Sequence, residues 1–316
     1  MRVLVTGATG FLGSWVCRIL NKHHAVTALI RPESNVKRLS GIKGLRIVEA
    51  PTENWHLEIN STRPDTYISM DWCGVAGRDR NDSKQSSNVD RTSRLLEKLE
   101  PIPLVIGTGS QAELGTFSDL ISESQPDAPT TEYGRAKVKA RELFAEYAAR
   151  TNSRFAWARI FSTYGPLDSN DWLIPSTMQS LAKGVEMPLT PGEQEWSYLH
   201  SFDLAEAFRA IVEHHQLSGV INVGNPETVK LSDVTKSIAG LIGGPELLKF
   251  GAIPYREDQV LRLSPICESL TKAGWRPMVS LRDGLENLYQ WLVKKKNSPL
   301  WLKDGTKREF NLPITI

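Results

Sequence analysis

The stretch that most constrains this chain is Thr6-Gly7-Ala8-Thr9-Gly10-Phe11-Leu12-Gly13, set between the apolar run Arg2-Val3-Leu4-Val5 and a segment of helical periodicity. Three glycines at G-x-x-G-x-x-G spacing between a strand and a helix have separate tasks. The first permits a tight turn, the second lets backbone approach a pyrophosphate, and the third lets the helix pack close on the strand. The helix N-terminus adds N–H donors and positive potential. Gly7, Thr9, Gly10, Phe11, Leu12 and Gly13 are therefore expected to hold a dinucleotide.

The pattern downstream fits such a start. Strands are predicted at 2–6, 25–30, 45–48, 67–70, 104–107 and 155–160, with helices at 11–23, 84–99 and 132–150. Alternation of short apolar runs with helical periods predicts an α/β fold, a doubly wound parallel Rossmann sheet. After Pro166 the texture turns rich in Pro, Gly, Trp and Ser, and 242–280 is loop-rich too. A helix over 202–212 and a strand over 220–223 would return to the sheet. The expected division is a dinucleotide-binding domain of 1–166 plus about 201–226, with 167–200 and 227–316 forming a smaller, irregular substrate lobe.

Of the 316 residues, 40% are hydrophobic and 23% charged, enough for a real core. A net charge of +2 gives no field that would draw nucleic acid or an acidic membrane, and neither partner is expected. Cys17, Cys73 and Cys267 are scattered and odd in number, which speaks against a disulfide framework or a metal site. A chain opening directly on a strand, without a long apolar run, is expected to be soluble and cytoplasmic.

Position 31, at the end of the second predicted strand, bears on the cofactor. A carboxylate there would accept the ribose hydroxyls of NAD, whereas Arg31 suits a 2′-phosphate. Ser34, Lys37 and Arg38 supply further donors nearby. NADP(H) is the expected cofactor, with NAD(H) as the alternative. Trp72 and Cys73, just beyond the fourth strand, are expected to line its pocket.

The chemistry is expected at Tyr133-Gly134-Arg135-Ala136-Lys137. A separation of four puts both side chains on one helical face. A free phenol titrates near about 10, and a neighbouring ammonium stabilises its phenolate. Gly107-Thr108-Gly109-Ser110 ends a strand, where open α/β sheets place ligands, and Ser110 is suited to hold a carbonyl oxygen.

With these motifs in hand, the sequence resembles the extended short-chain dehydrogenases, the family of nucleotide-sugar epimerases, 4,6-dehydratases and ketoreductases. The likeness runs through TGATGFLG (6–13), GTGSQAELG (107–115), YGRAK (133–137), RIFSTYGP (159–166), WSYLHSFDLAEA (196–207), INVGN (221–225) and AGWRP (273–277). It implies catalytic roles for Ser110, Tyr133 and Lys137, cofactor contacts from Thr108, Tyr133 and Lys137, and an Asn88 that fixes the active-site helix and cofactor. It also implies a homodimer paired through the helices near 84–99 and 132–150 as a four-helix bundle.

Departures from the family pattern narrow the expected reaction. A 4,6-dehydratase carries Asp-Glu directly after its catalytic Ser or Thr, where this chain has Gln111 and Ala112. Neither can protonate a leaving hydroxyl or remove a proton. Ser162 stands where the epimerases usually have Asn, and Glu113 replaces an apolar residue. The expectation is an NADPH-dependent reductase of the 4-keto group of a nucleotide-diphosphate-linked 6-deoxysugar. The alternatives are a nucleotide-sugar epimerase and, from another class, a noncatalytic NADP-binding sensor or scaffold. Substrate contacts are expected from Ser110, Gln111, Ser162, Gln194, Trp196, Arg256 and Arg262, with Tyr198 nearby and His200 as a structural hydrogen bonder.

Overall fold

The computed structural model describes residues 1–256 and 259–314. Its first half alternates strand and helix, with α2 a helix beyond those expected: β1 (Arg2–Thr6), α1 (Phe11–Leu20), β2 (Ala25–Ile30), β3 (Arg46–Glu49), α2 (Trp55–Thr62), β4 (Thr66–Ser69), α3 (Lys84–Lys98) and β5 (Leu104–Ser110). After β6 (Asp119–Ile121) come α4 (Glu132–Thr151), β7 (Arg154–Ile160) and β8 (Thr163–Tyr164). The first helix ends at Leu20 rather than His23, where Asn21–His24 close the turn with backbone bonds to Cys17–Leu20.

Seven parallel strands form the central sheet in the order β12-β7-β5-β4-β1-β2-β3, where β12 is Gly219–Val223. The inner strands read as apolar runs because both faces are covered, whereas the edge strand β3 is largely exposed. Val3 and Val5 enter one core, while Leu4 enters the other; Ile106 and Val105 divide in the same way. On one face α1 packs on α6 (Ser201–Glu213), and on the other α3 packs on α4.

The remainder is less irregular than its composition suggests. It holds α5 (Leu173–Ala182), β9 (Met187–Pro188), β10 (Glu195–Ser197), β11 (Leu199–His200), β13 (Thr228–Lys230), α7 (Leu231–Ile242), β14 (Leu248–Lys249) and β15 (Arg262–Pro265). Then follow α8 (Glu268–Lys272), α9 (Leu281–Leu292), β16 (Leu300–Trp301) and β17 (Lys307–Arg308). A second sheet has the order β13-β10-β15-β6, so the segment after β5 reaches across to the C-terminal part. Among the described residues no helix is long and apolar enough to cross a membrane.

Candidate active site

The glycine-rich turn lies at the C-terminal end of β1, where the strand order reverses between β4 and β2. Gly7 has φ +70°, and a Cβ there would stand 2.3 Å from the Met70 carbonyl. A Cβ on Gly13 would meet the Gly7 carbonyl oxygen at 2.2 Å. Gly10 is the N-cap of α1, whose first turn has no capping side chain and no acid. The helix thus presents its first amides to an adjacent cavity of about 190 Å³ lined in part by Gly7, Thr9, Gly10, Arg31, Ser34 and Trp72. These residues fit a dinucleotide: a backbone cradle for phosphates and, at the far end, Arg31 and Ser34. Phe11 and Leu12 are half-buried and pack on the core.

Arg38 turns elsewhere, donating through Nε to the Leu167 carbonyl at 2.9 Å. One carboxylate, Asp71, lies in the cavity wall. It accepts from the Thr6 hydroxyl at 2.6 Å and pairs with Arg91 at 3.3 Å, so its charge is balanced where an anion would lie. Asn88 is buried and holds the loop after β4, its Oδ1 accepting from the Cys73 amide and its Nδ2 donating to the Cys73 carbonyl. Nothing about Asp71, Gln85 or Arg91 marks them in the sequence.

Ser110 ends β5 and caps the short turn Gln111–Leu114, with its hydroxyl accepting from the Ala112 amide at 3.2 Å. The Thr131 hydroxyl caps α4 in the same manner, accepting from Gly134, and so fixes the turn of helix that carries Tyr133. A Cβ on Gly134 would lie 2.3 Å from the Ala112 carbonyl oxygen, so glycine lets the helix reach the Ser110 turn. The Ser110 side chain neighbours the Tyr133 hydroxyl and favours its phenolate. Lys137, one turn on, donates to the Thr108 carbonyl at 2.8 Å.

The site is deeply buried, and its electrostatics follow. Burial pushes the Tyr133 phenol above its ordinary value, while the Ser110 side chain and the Arg80 guanidinium pull it back. Burial pushes the Lys137 ammonium down to about 7, with Glu113 and Asp71 opposing and Arg91 reinforcing. The Trp72 indole covers this lysine, with Nζ 3.8 Å from its ring centroid, and donates to Gln85 at 2.9 Å. Trp72 also meets the Tyr133 ring edge-on at 6.4 Å. The described residues lining the cavity at the glycine turn include Trp72 but neither Tyr133 nor Lys137.

The residues expected to touch substrate are more dispersed. Gln111 and Ser162 are half-buried at the ends of β5 and β7, the Ser162 carbonyl accepting from Leu199 at 2.9 Å. Gln194 is buried and hydrogen-bonded to Thr190, and the Trp196 indole donates to the Val260 carbonyl at 2.9 Å. Arg256 is exposed, and Arg262 is an exposed residue of β15 lying 4.0 Å from Asp119. Neither arginine lines the cavity at the glycine turn. Tyr198 is buried. His200 is also buried, pushed down to about 3 by that burial, and its Nδ1 accepts from Phe202. The three cysteines are free.

A parallel seven-stranded sheet with a glycine-lined cavity at its switch point, and a Ser–Tyr–Lys set beside it, defines an enzyme of the extended short-chain dehydrogenase type. The chain belongs to the NAD dependent epimerase/dehydratase family, whose pattern matches residues 3–224. It is 26% identical over 306 residues to low-salt glycan biosynthesis protein Agl12 of Haloferax volcanii, covering 90% of this chain and 96% of that protein. Its fold is similar to UDP-N-acetylglucosamine 4-epimerase of Methanobrevibacter ruminantium, with TM-score 0.84, 18% identity and 93% and 99% of the two chains covered. It is also similar to the dTDP-glucose 4,6-dehydratase of Bacillus anthracis in complex with NAD, with TM-score 0.81, 20% identity and coverage of 93% and 97%.

Proposed function

We propose that this chain reduces the 4-keto group of a nucleotide-diphosphate-linked 6-deoxysugar at the expense of NADPH. The observation that carries the reading is the cavity wall at the end of β2, where Arg31 and Ser34 stand and Asp71, the one carboxylate among the described residues of the lining, is paired with Arg91. A guanidinium there suits a 2′-phosphate, and NADPH is the pool from which reductants are drawn. Gln111 and Ala112 add to it, because an amide and a methyl cannot run the acid–base work of a dehydration. Nucleotide sugars enter through the named relatives, among them the UDP-N-acetylglucosamine 4-epimerase.

In this reading the bound cofactor supplies a hydride to the ketone carbon. Ser110 holds the carbonyl oxygen, and the Tyr133 hydroxyl gives up the proton that completes the alcohol. Lys137 holds the nicotinamide ribose and stabilises the phenolate left on Tyr133. Ketone, NADPH and one proton thus become alcohol and NADP⁺. Tyr133 and Lys137 are both present, so the scaffold reading has no support.

The test follows absorbance at 340 nm and product mass together on nucleotide-linked 4-keto sugars. The expected outcome is a product heavier by two hydrogens with matching NADPH loss. An epimerase, favoured by the likeness to a 4-epimerase structure, would give a product of unchanged mass with no net cofactor oxidation.

A further inference from the structure

Behind the Ser110 turn lies a set of four charged side chains that the proposed reaction leaves unused. Glu113 and Arg159 are 0% and 1% exposed. Glu113 Oε1 accepts from the Ser110 amide at 2.7 Å and from the Trp157 indole at 3.0 Å. Its Oε2 accepts from Arg159 Nε at 3.2 Å and lies 3.5 Å from Arg141 Nη1. Asp127 closes the set, 3.6 Å from Arg159 Nη2 and paired with Arg141.

Two carboxylates and two guanidiniums balance, which lets the group be buried. Such a set is a poor choice for stability alone, since apolar side chains of like volume would serve as well. Its placement suggests another reason. Glu113 belongs to the Ser110 turn, Arg141 to the helix bearing Tyr133 and Lys137, and Arg159 to β7, which pairs with β5 so that Ser110 faces Ile160. The quartet therefore ties together the three elements that carry or flank the reacting groups.

We propose that Glu113 is a positioning residue for the Ser110–Tyr133–Lys137 group: it anchors the Ser110 backbone so that the hydroxyl meets Tyr133, and it places a fixed negative charge behind both partners. The inference rests on the catalytic roles proposed above, but its test needs no substrate. Among the described residues the charges acting on Lys137 are Glu113, Asp71 and Arg91 and those on Tyr133 are Arg80 and Glu113, with the Lys137 Nζ itself 5.8 Å from the Tyr133 ring. Glu113 holds both Lys137 and Tyr133 up, so removing its charge must let Lys137 lose its proton at lower pH.

Three variants separate charge from geometry. Glu113→Gln keeps the acceptor for Ser110 and loses the charge, Glu113→Asp keeps the charge and shortens the reach, and Arg159→Gln removes the opposite charge. Lys137 is followed in the cofactor-free protein by ¹³C NMR of labelled lysine, its signal identified by loss in Lys137→Met. In Glu113→Gln the titration midpoint is expected to fall by about 0.5–1 pH unit, and in Arg159→Gln, which leaves the Glu113 charge less compensated, to rise. In Glu113→Asp it should stay in place while the ¹⁵N-labelled Ser110 amide loses its hydrogen-bonded shift. Mere loosening of the core would relieve burial and raise Lys137 in all three. An unmoved or raised midpoint in Glu113→Gln overturns the proposal, as does an unmoved Ser110 amide in Glu113→Asp. Should Glu113→Gln fail to fold, Arg159→Gln against Glu113→Asp decides, and equal midpoints in those two overturn it.

Discussion

Trp72 shows how one side chain sets the terms for a ligand. Its indole lies over the Lys137 ammonium at 3.8 Å and is held by Gln85, which is itself buried. The cavity at the glycine turn has Trp72 but neither Tyr133 nor Lys137 in its lining, so an adenosine diphosphate portion is expected to leave this arrangement in place. A nicotinamide ribose seeking Lys137 must move the indole, and a desolvated cation–π contact is worth about 2 kcal/mol. Trp72→Ala removes that obstacle. NADPH should then bind up to about thirtyfold more tightly, while 2′,5′-ADP, which lacks the nicotinamide ribose, should bind as before. Calorimetric titration of both ligands checks this, and a weaker NADPH affinity in the variant would mean that the indole stacks on the cofactor. Arg31 was legible as a cation at the end of β2; the indole over Lys137 was not, since nothing in the local sequence says which way Trp72 turns.

At the scale of elements, the site depends on how closely α4 approaches the Ser110 turn, and Gly134 sets that approach. Alanine in a helix is favoured over glycine by about 1 kcal/mol, so propensity alone predicts that Gly134→Ala stabilises the protein. Packing opposes it, because the new Cβ would stand 2.3 Å from the Ala112 carbonyl oxygen and 2.9 Å from the Pro129 Cβ. Overpacking of that kind costs about 1–3 kcal/mol, and the net expectation is a loss of stability. Turnover should fall further than stability does, because the displaced helix draws Tyr133 from Ser110. Urea unfolding beside steady-state rates checks both, and a variant more stable than the parent with full turnover refutes the argument. The same closeness explains what could be read in advance. The inner strands of the central sheet were legible because burial on both faces makes them apolar runs, as in Val3-Leu4-Val5. The helices α7 and α9 fall in the stretch expected to be irregular, although α7 carries Leu231, Val234, Thr235, Ile238 and Ala239 at helical spacing. Pro175 near the start of α5 hides that helix within a proline-rich stretch. The Glu113 quartet could not be read at all, because Glu113, Asp127, Arg141 and Arg159 meet only after β7 pairs with β5 and α4 crosses them.

At the scale of the whole molecule, the question is whether copies of the chain associate through α3 and α4, as the family resemblance implies. A lasting helix-bundle interface is built on an apolar seam, with charges at its margin. In this chain the buried faces of the two helices are spent on each other and on the sheet, with Leu95, Leu96, Ala140, Phe144 and Tyr147 in the core. Their exposed positions carry Ser86, Ser87, Asp90, Arg94 and Glu97 on α3 and Lys139, Glu142 and Glu146 on α4. Both signs occur on the combined face, so a second copy can match positive to negative across a two-fold axis. The attraction would be largely that of solvated charges, which salt screens over about 8–10 Å. Each exposed pair contributes about 0.2–1 kcal/mol, leaving association weak. The expectation is a dimer that forms at low ionic strength and dissociates as salt rises. Sedimentation velocity at 50 mM and 500 mM sodium chloride, over a tenfold range of protein concentration, should show the sedimentation coefficient falling toward the monomer at high salt. A dimer equally stable at both would have to be joined by an apolar surface elsewhere. The charge reversal Arg94→Glu then separates the two cases, weakening a dimer held through α3 and leaving one held elsewhere intact.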